Sequence, residues 1–117
     1  MNFKMLLTRR FEFDSAHQLG KEFGKCHNLH GHRYVLEVTV KGEIVNNIVI
    51  DISEIKKIVN ELVIEKLDHN TINNFIENPT AENIALWIWK QLKQKLSKLY
   101  EVKLYETPNN YVIYRGE

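Results

Sequence analysis

Apolar and polar residues alternate along two stretches of this chain. The first is Phe11-Glu12-Phe13-Asp14-Ser15-Ala16-His17, the second Tyr34-Val35-Leu36-Glu37-Val38-Thr39-Val40-Lys41. A period of two is the mark of a half-buried strand. The first strand is expected over about residues 4 to 14, with His17 at or just past its end, and the second over about 30 to 43. Val45-Asn46-Asn47-Ile48 reads as a turn, because asparagine tolerates positive φ. The short apolar run Ile48-Val49-Ile50 after it allows one extra short strand. Asp51-Ile52-Ser53-Glu54 opens a helix, with Asp51 as its cap and Glu54 completing a capping box. That helix is expected to reach about residue 67, with Ile52, Ile55, Val59, Leu62 and Lys66 on one stripe widened by Ile58 and Val63. Pro79-Thr80-Ala81-Glu82 opens a second helix, capped by Thr80 and reaching about residue 98. Its apolar face carries Ile84, Ile88, Leu92, Leu96 and Leu99, with Ala85 and Trp89 beside it. Trp87 falls off the stripe, for a neighbouring subunit or the helix flank. Two closing strands, 100 to 107 and 111 to 114, flank the turn Pro108-Asn109-Asn110. The order is β-β-α-α-β-β. An antiparallel four-stranded sheet with both helices on one face is the simplest packing, an α+β domain over residues 1 to 117. The uncovered sheet face then calls for another subunit.

The densest chemistry lies in Cys26-His27-Asn28-Leu29-His30-Gly31-His32-Arg33-Tyr34, where three of the five histidines and the only cysteine fall within nine residues. On a strand beginning near His30, side chains at 30, 32, 34, 36, 38 and 40 share a face. Two imidazoles at i and i+2 can then reach one metal ion. Gly31 leaves the opposite face bare for close approach. If the first two strands pair antiparallel, His17 lies opposite this pair. Three imidazoles and an open fourth position make a catalytic zinc arrangement.

Composition narrows the class. The chain has 117 residues, 44% hydrophobic and 26% charged, and a formal net charge of +1. Nothing approaches the ~20 apolar residues of a membrane span, and the near-zero charge argues against non-specific nucleic-acid binding. The amino-terminal ten residues lack the apolar stretch and cleavage site of a leader. One cysteine permits no internal disulfide, which fits a reducing cytoplasm. A short chain with a modest core makes oligomerisation plausible.

Three further groups carry catalytic chemistry. Cys26, beside zinc and imidazoles, can be a thiolate serving as base or nucleophile, against the alternative of a buried structural cysteine. Asp68-His69 can be an acid–base dyad, the carboxylate fixing the imidazole tautomer, provided a turn lets sequence neighbours meet. Glu106 follows Val102 and Leu104 on an apolar strand side, where an acid is costly unless paired. Its carboxylate can accept two hydrogen bonds from the N–H/NH₂ edge of a guanidine-like heterocycle. Lys21, Lys25 and Arg33 are candidates for an anionic substrate group, and His27 is a passenger or spare ligand.

The chain resembles the 6-pyruvoyl-tetrahydropterin synthase / 6-carboxy-tetrahydropterin synthase family. The resemblance rests on Phe13-Asp14-Ser15-Ala16-His17, the Cys26–Tyr34 stretch, Asp51-Ile52-Ser53-Glu54-Ile55-Lys56, Leu67-Asp68-His69-Asn70, Pro79-Thr80-Ala81-Glu82-Asn83 and Glu106-Thr107. It implies a tunnelling fold, with subunits forming trimers or stacked hexamers and active sites between subunits. It implies Zn²⁺ on His17, His30 and His32, Cys26 as base, Asp68 and His69 as proton-transferring dyad, and Glu106 as pterin anchor with Thr80 and Thr107 assisting. The implied substrate is 7,8-dihydroneopterin triphosphate. The compact C-x₃-H-G-H spacing resembles the carboxy-tetrahydropterin synthases of queuosine biosynthesis, whose products are 6-carboxy-5,6,7,8-tetrahydropterin, acetaldehyde and triphosphate. The alternatives are a triphosphate-eliminating 6-pyruvoyl-tetrahydropterin synthase, typically with a longer loop there, and a non-catalytic pterin- or metal-binding homologue.

Overall fold

The computed structural model describes residues 3–117. Met1 and Asn2, part of the amino-terminal segment read above for a leader, lie outside the described residues. Two long strands, β1 (Lys4–His17) and β2 (His30–Glu43), pair antiparallel. A 3-10 segment (Lys21–His27) joins them. The turn at Asn46 and Asn47 forms as expected, with φ of 52° and 74° and Val45 bridged to Ile48.

The first helical run starts at α1 (Ile52–Val59), where the Asp51 carboxylate accepts from Ser53 N at 2.9 Å. It passes through a π-type turn (Asn60–Ile64) into the short α2 (Glu65–Leu67). That wider turn changes the face that is buried. A 3.6-residue period predicts Ile52, Ile55, Val59, Leu62 and Lys66. Ile55, Ile58, Val59 and Val63 are buried as expected, but the buried stripe continues to Leu67 rather than through Leu62 and Lys66, which are half-buried, and Ile52 is exposed. A π turn inserts one residue into the helical phase, which moves every later position.

The second long helix is α3 (Ala81–Lys93), capped by the Thr80 hydroxyl accepting from Asn83 N. It ends earlier than residue 98. Leu96 and Leu99 are buried because the chain turns directly into β4 (Leu99–Thr107), not because the helix continues. Trp87 packs on the flank, its ring centroid 6.0 Å from that of Phe75. β5 (Asn110–Tyr114) completes the hairpin.

The sheet has five strands, not four. A two-residue strand, β3 (Asn70–Thr71), runs parallel to β1 beside Ser15 and Ala16, giving the order β3-β1-β2-β4-β5. So the extra short strand follows the first helix rather than preceding it. The helices cover one sheet face, and Tyr34, Leu36, Val38, Val102 and Leu104 meet Ile55, Val59, Ile84, Ile88 and Leu92 there. The other face carries Arg10, Glu12, Arg33 and Lys103, with Tyr111 50% and Ile113 45% exposed.

β3 and the end of α2 are fastened to β1 by one hydroxyl. Buried Ser15 Oγ lies 2.7 Å from Leu67 O and 2.8 Å from Asn70 O. Ser15→Ala strands those carbonyls and is expected to cost about 1–3 kcal/mol of unfolding free energy, measured as a lower urea midpoint at unchanged m-value. An unchanged midpoint would mean the fastening is held elsewhere.

Candidate active site

Antiparallel pairing sets His17 directly opposite His30 and Ser15 opposite His32. The three imidazoles share a face, and their ring centroids lie 4.5 to 5.1 Å apart. One nitrogen from each lies within 4.8 Å of the others. Two of the rings have their outer nitrogen tied. His17 Nδ1 donates to Pro79 O at 2.8 Å and His30 Nδ1 to Asn28 O at 2.7 Å. A ring whose Nδ1 carries the hydrogen presents a lone pair at Nε2. The Nε2 atoms of His17 and His30 then face each other at 3.0 Å, lone pair against lone pair. That arrangement repels unless a cation lies between them. Buried His32 Nε2 has no hydrogen-bond partner. Tied second nitrogens and converging free ones are the construction of a metal-ligating histidine cluster. Nitrogen donors in threes suit Zn²⁺ and related transition ions. The residues therefore fit a metal.

Electrostatics agrees with neutral imidazole at His32. Burial lowers its pKa below the ordinary value, Glu106 pulls it upward, and His17 and His30 push it further down. Tyr34, fully buried beneath the triad, has its hydroxyl 3.3 Å from His17 Nδ1 and a pKa raised by burial and by Glu106. The sequence reading placed Tyr34 on this face but gave it no part in holding His17. Its place two residues beyond His32 was the available signal.

Glu106 reaches the triad through a break in register. Tyr105 pairs with Tyr111 and Thr107 with Asn110, which leaves Glu106 as an extra residue on β4. Such a bulge re-aims a side chain. Its carboxylate comes 3.7 Å from His32 Nε2. One cleft of about 280 Å³ beside Glu106 is bordered by Phe23, Thr80 and Tyr111, and another of about 590 Å³ by His32 and Thr107. Both threonine oxygens already serve the backbone, Thr80 as helix cap and Thr107 accepting from Asn109 N and Asn110 Nδ2.

Asp68 and His69 do meet. His69 has φ of 57°, the left-handed turn that lets neighbours face each other, and its Nδ1 is 3.1 Å from Asp68 Oδ2. The pair grips the edge of β1 at one residue. Asp14 N donates to Asp68 Oδ1 at 2.9 Å, and His69 N donates to Asp14 O at 2.7 Å. The Asp14 amide, then His69 and Arg33, hold the Asp68 carboxyl below its ordinary range. His69 opens onto a cleft of about 520 Å³, shared with His32 and floored by Ala16 and Gly31. A Cβ at Gly31 would meet only Ser15 O, at 3.5 Å, so packing within the chain does not require this glycine.

Cys26 stands apart. It is exposed, and its sulfur is outside the triad's group of mutually close ligand atoms. Of the cations considered for an anionic group, Arg33 is engaged, 2.8 Å from Glu12 and 3.1 Å from Asp14. Lys21 and Lys25 are exposed on the segment that carries Cys26. The triad and Glu106 thus form one cluster, the dyad shares a cleft with His32, and the thiol sits on a separate loop.

A family model described as 6-pyruvoyl tetrahydropterin synthase matches residues 6–117. The chain is 43% identical to the 6-pyruvoyl tetrahydrobiopterin synthase of Dictyostelium discoideum, over 100% of both chains. It is 37% identical to the human protein of that name, over 95% of this chain and 91% of the other. It is 41% identical to the dihydroneopterin monophosphate aldolase of Pyrococcus furiosus, over 88% and 90%. Among solved structures, Caenorhabditis elegans 6-pyruvoyl tetrahydropterin synthase superposes with a TM-score of 0.90 at 32% identity, covering 97% and 96%. The chain belongs to the 6-pyruvoyl tetrahydropterin synthase family and has its tunnelling fold.

Single His17→Ala, His30→Ala and His32→Ala proteins are each expected to lose stoichiometric zinc after dialysis, with circular dichroism unchanged. Full zinc in any one of them removes that residue from the ligand set. Acid acts on the same cluster. Below the ordinary histidine value of 6.5 the unfolded chain protonates position 32 while the folded chain resists. The unfolded state then binds more protons, so stability rises with pH in that window and falls as pH drops through it. Metal-free protein should therefore show a falling urea midpoint from pH 7 to pH 5, with a smaller fall in His32→Gln.

Proposed function

We propose that this chain is a metal-dependent pterin lyase that eliminates triphosphate from 7,8-dihydroneopterin triphosphate to give a 6-pyruvoyl product, the product that its relatives' names carry. The observation carrying this reading is the pairing of Glu106 with the histidine cluster. A half-buried carboxylate beside converging imidazole nitrogens provides two anchoring points for a pterin with a hydroxylated side chain. The similarity across nearly the full length of several pyruvoyl synthases supports the same substrate class.

A metal held by His17, His30 and His32 would supply Lewis-acid polarisation to side-chain hydroxyls and so acidify the neighbouring C–H bonds. Glu106 accepts the N–H/NH₂ edge of the pterin and fixes its orientation. Cys26, as thiolate, takes a side-chain proton. Asp68 keeps the His69 imidazole oriented for proton transfer on the other side. Cys26 and the dyad sit on different parts of the chain, and sheet edges at β5 and along most of β1 lack partners among the described residues. We therefore assign the complete site to an oligomer, with the dyad of one copy serving a neighbour.

A second reading is carbon–carbon cleavage to 6-carboxy-5,6,7,8-tetrahydropterin and acetaldehyde, the reaction expected above from the sequence. The three-residue gap from Cys26 to His30 favours it, and 41% identity to an archaeal aldolase keeps side-chain cleavage in view. The relatives named as pyruvoyl synthases favour triphosphate elimination without carbon loss.

Zinc-loaded protein incubated anaerobically with 7,8-dihydroneopterin triphosphate should release triphosphate and a 6-pyruvoyl product by mass spectrometry. Acetaldehyde with the 6-carboxy product would instead establish the second reading. No turnover by folded, loaded protein would leave a binding role. Glu106→Gln should lower kcat/KM by roughly thirtyfold, the worth of one charge-assisted hydrogen bond of about 2 kcal/mol. A wild-type kcat/KM would remove Glu106 from ring recognition.

A further inference from the structure

The loop that carries Cys26 has no buried side chain anywhere in its 3-10 segment, Lys21–His27. Apolar packing within the chain therefore does not fix the thiol. Polar ties close the loop's base. Asn73, from the short 3-10 turn Ile72–Asn74, clasps the backbone of Gln18. Its Oδ1 accepts from Gln18 N at 2.8 Å and its Nδ2 donates to Gln18 O at 2.8 Å. This amide does for Gln18 what β3 does for Ser15 and Ala16, continuing strand-like pairing one step past the end of β1. One residue on, Leu19 N donates to Cys26 O at 3.1 Å, closing the loop across its neck. Leu19 O accepts from His27 Nδ1 at 2.9 Å. Within the loop, Gly24 has φ of 61° and nothing within 4 Å of a Cβ built there, so no side-chain contact stiffens it.

We propose that Asn73 and His27 are positioning residues for Cys26: together they pin the neck of the loop and set where the thiol points. This rests on the reading of Cys26 as the base. Neither residue touches the histidine cluster. His17 is held by Pro79 O and His30 by Asn28 O, bonds in which neither Asn73 nor His27 takes part. Loosening the neck should therefore spread the orientations of Cys26 while sparing the metal site. The consequence is a loss in the chemical step more than in substrate binding, because a misplaced base leaves the pterin contacts intact.

The test uses the full-length protein with Asn73→Ala, His27→Phe and His27→Asn. Asparagine at 27 keeps an N–H where imidazole Nδ1 stood, whereas phenylalanine removes it. We expect Asn73→Ala and His27→Phe to lower kcat by about tenfold, with KM within about twofold and zinc stoichiometry unchanged. His27→Asn should restore most of the kcat. Alkylation of Cys26 by iodoacetamide across pH gives a readout independent of the substrate. Its rate profile should change in the two disrupting variants and return toward wild type in His27→Asn. Wild-type kcat and alkylation in both disrupting variants would overturn the proposal, as would loss of zinc alongside activity. Altered alkylation with wild-type kcat would keep the clasp and refute Cys26 as the base.

Discussion

Two imidazole nitrogens facing each other at 3.0 Å, each with its far side already donating to a carbonyl, define a place that accepts positive charge and little else. Much of the fold can be read as the means of holding that confrontation. The antiparallel register of β1 and β2 puts His17 opposite His30. The approach to α3 supplies the Pro79 carbonyl, and Tyr34 fills the space beneath. A one-residue slip between β1 and β2 would turn His17 to the opposite face, since strand side chains alternate. Register, held by fourteen residues on each strand, is thus a condition for the cluster as well as for the core.

The long elements were legible because their patterns are local. Alternation located β1 and β2, and cap residues located the starts of α1 and α3. Because side chains repeat every two residues, His30 and His32 could be placed on one face, with His17 beside them on the condition that the two strands pair antiparallel. What escaped depends on contacts distant in sequence. β3 is two residues of ordinary polar chain, made a strand only by lying beside Ser15 and Ala16. The π turn shows in no residue type; it appears in the phase of burial, where the buried stripe continues to Leu67 rather than through Leu62 and Lys66. The bulge at Glu106 is likewise a property of two strands together.

The candidate groups divide in the same way. The His30 and His32 pair follows from periodicity alone, and His17 joins it through the antiparallel pairing of β1 and β2. Asp68 and His69 could be named as a pair, but their union requires a left-handed residue, His69, anchored to Asp14, far away in the sequence. Arg33 looked like an anion ligand in isolation and is occupied by Glu12 and Asp14, because strand pairing sets Arg33 across from Asp14. Charge in a sequence says nothing about whether that charge is already answered.

The π turn couples the helix to the dyad in a way its burial pattern only hints at. An α-helix advances about 100° per residue. Asp68 follows α2 directly, so the single additional residue in Asn60–Ile64 acts as a phase adjuster for everything after it. Were the turn to relax to regular α-helix, Leu67 would swing out of the core and the Asp68 carboxylate would leave the edge of β1. The aim of the Asp68–His69 pair is thereby geared to a helical irregularity several residues upstream.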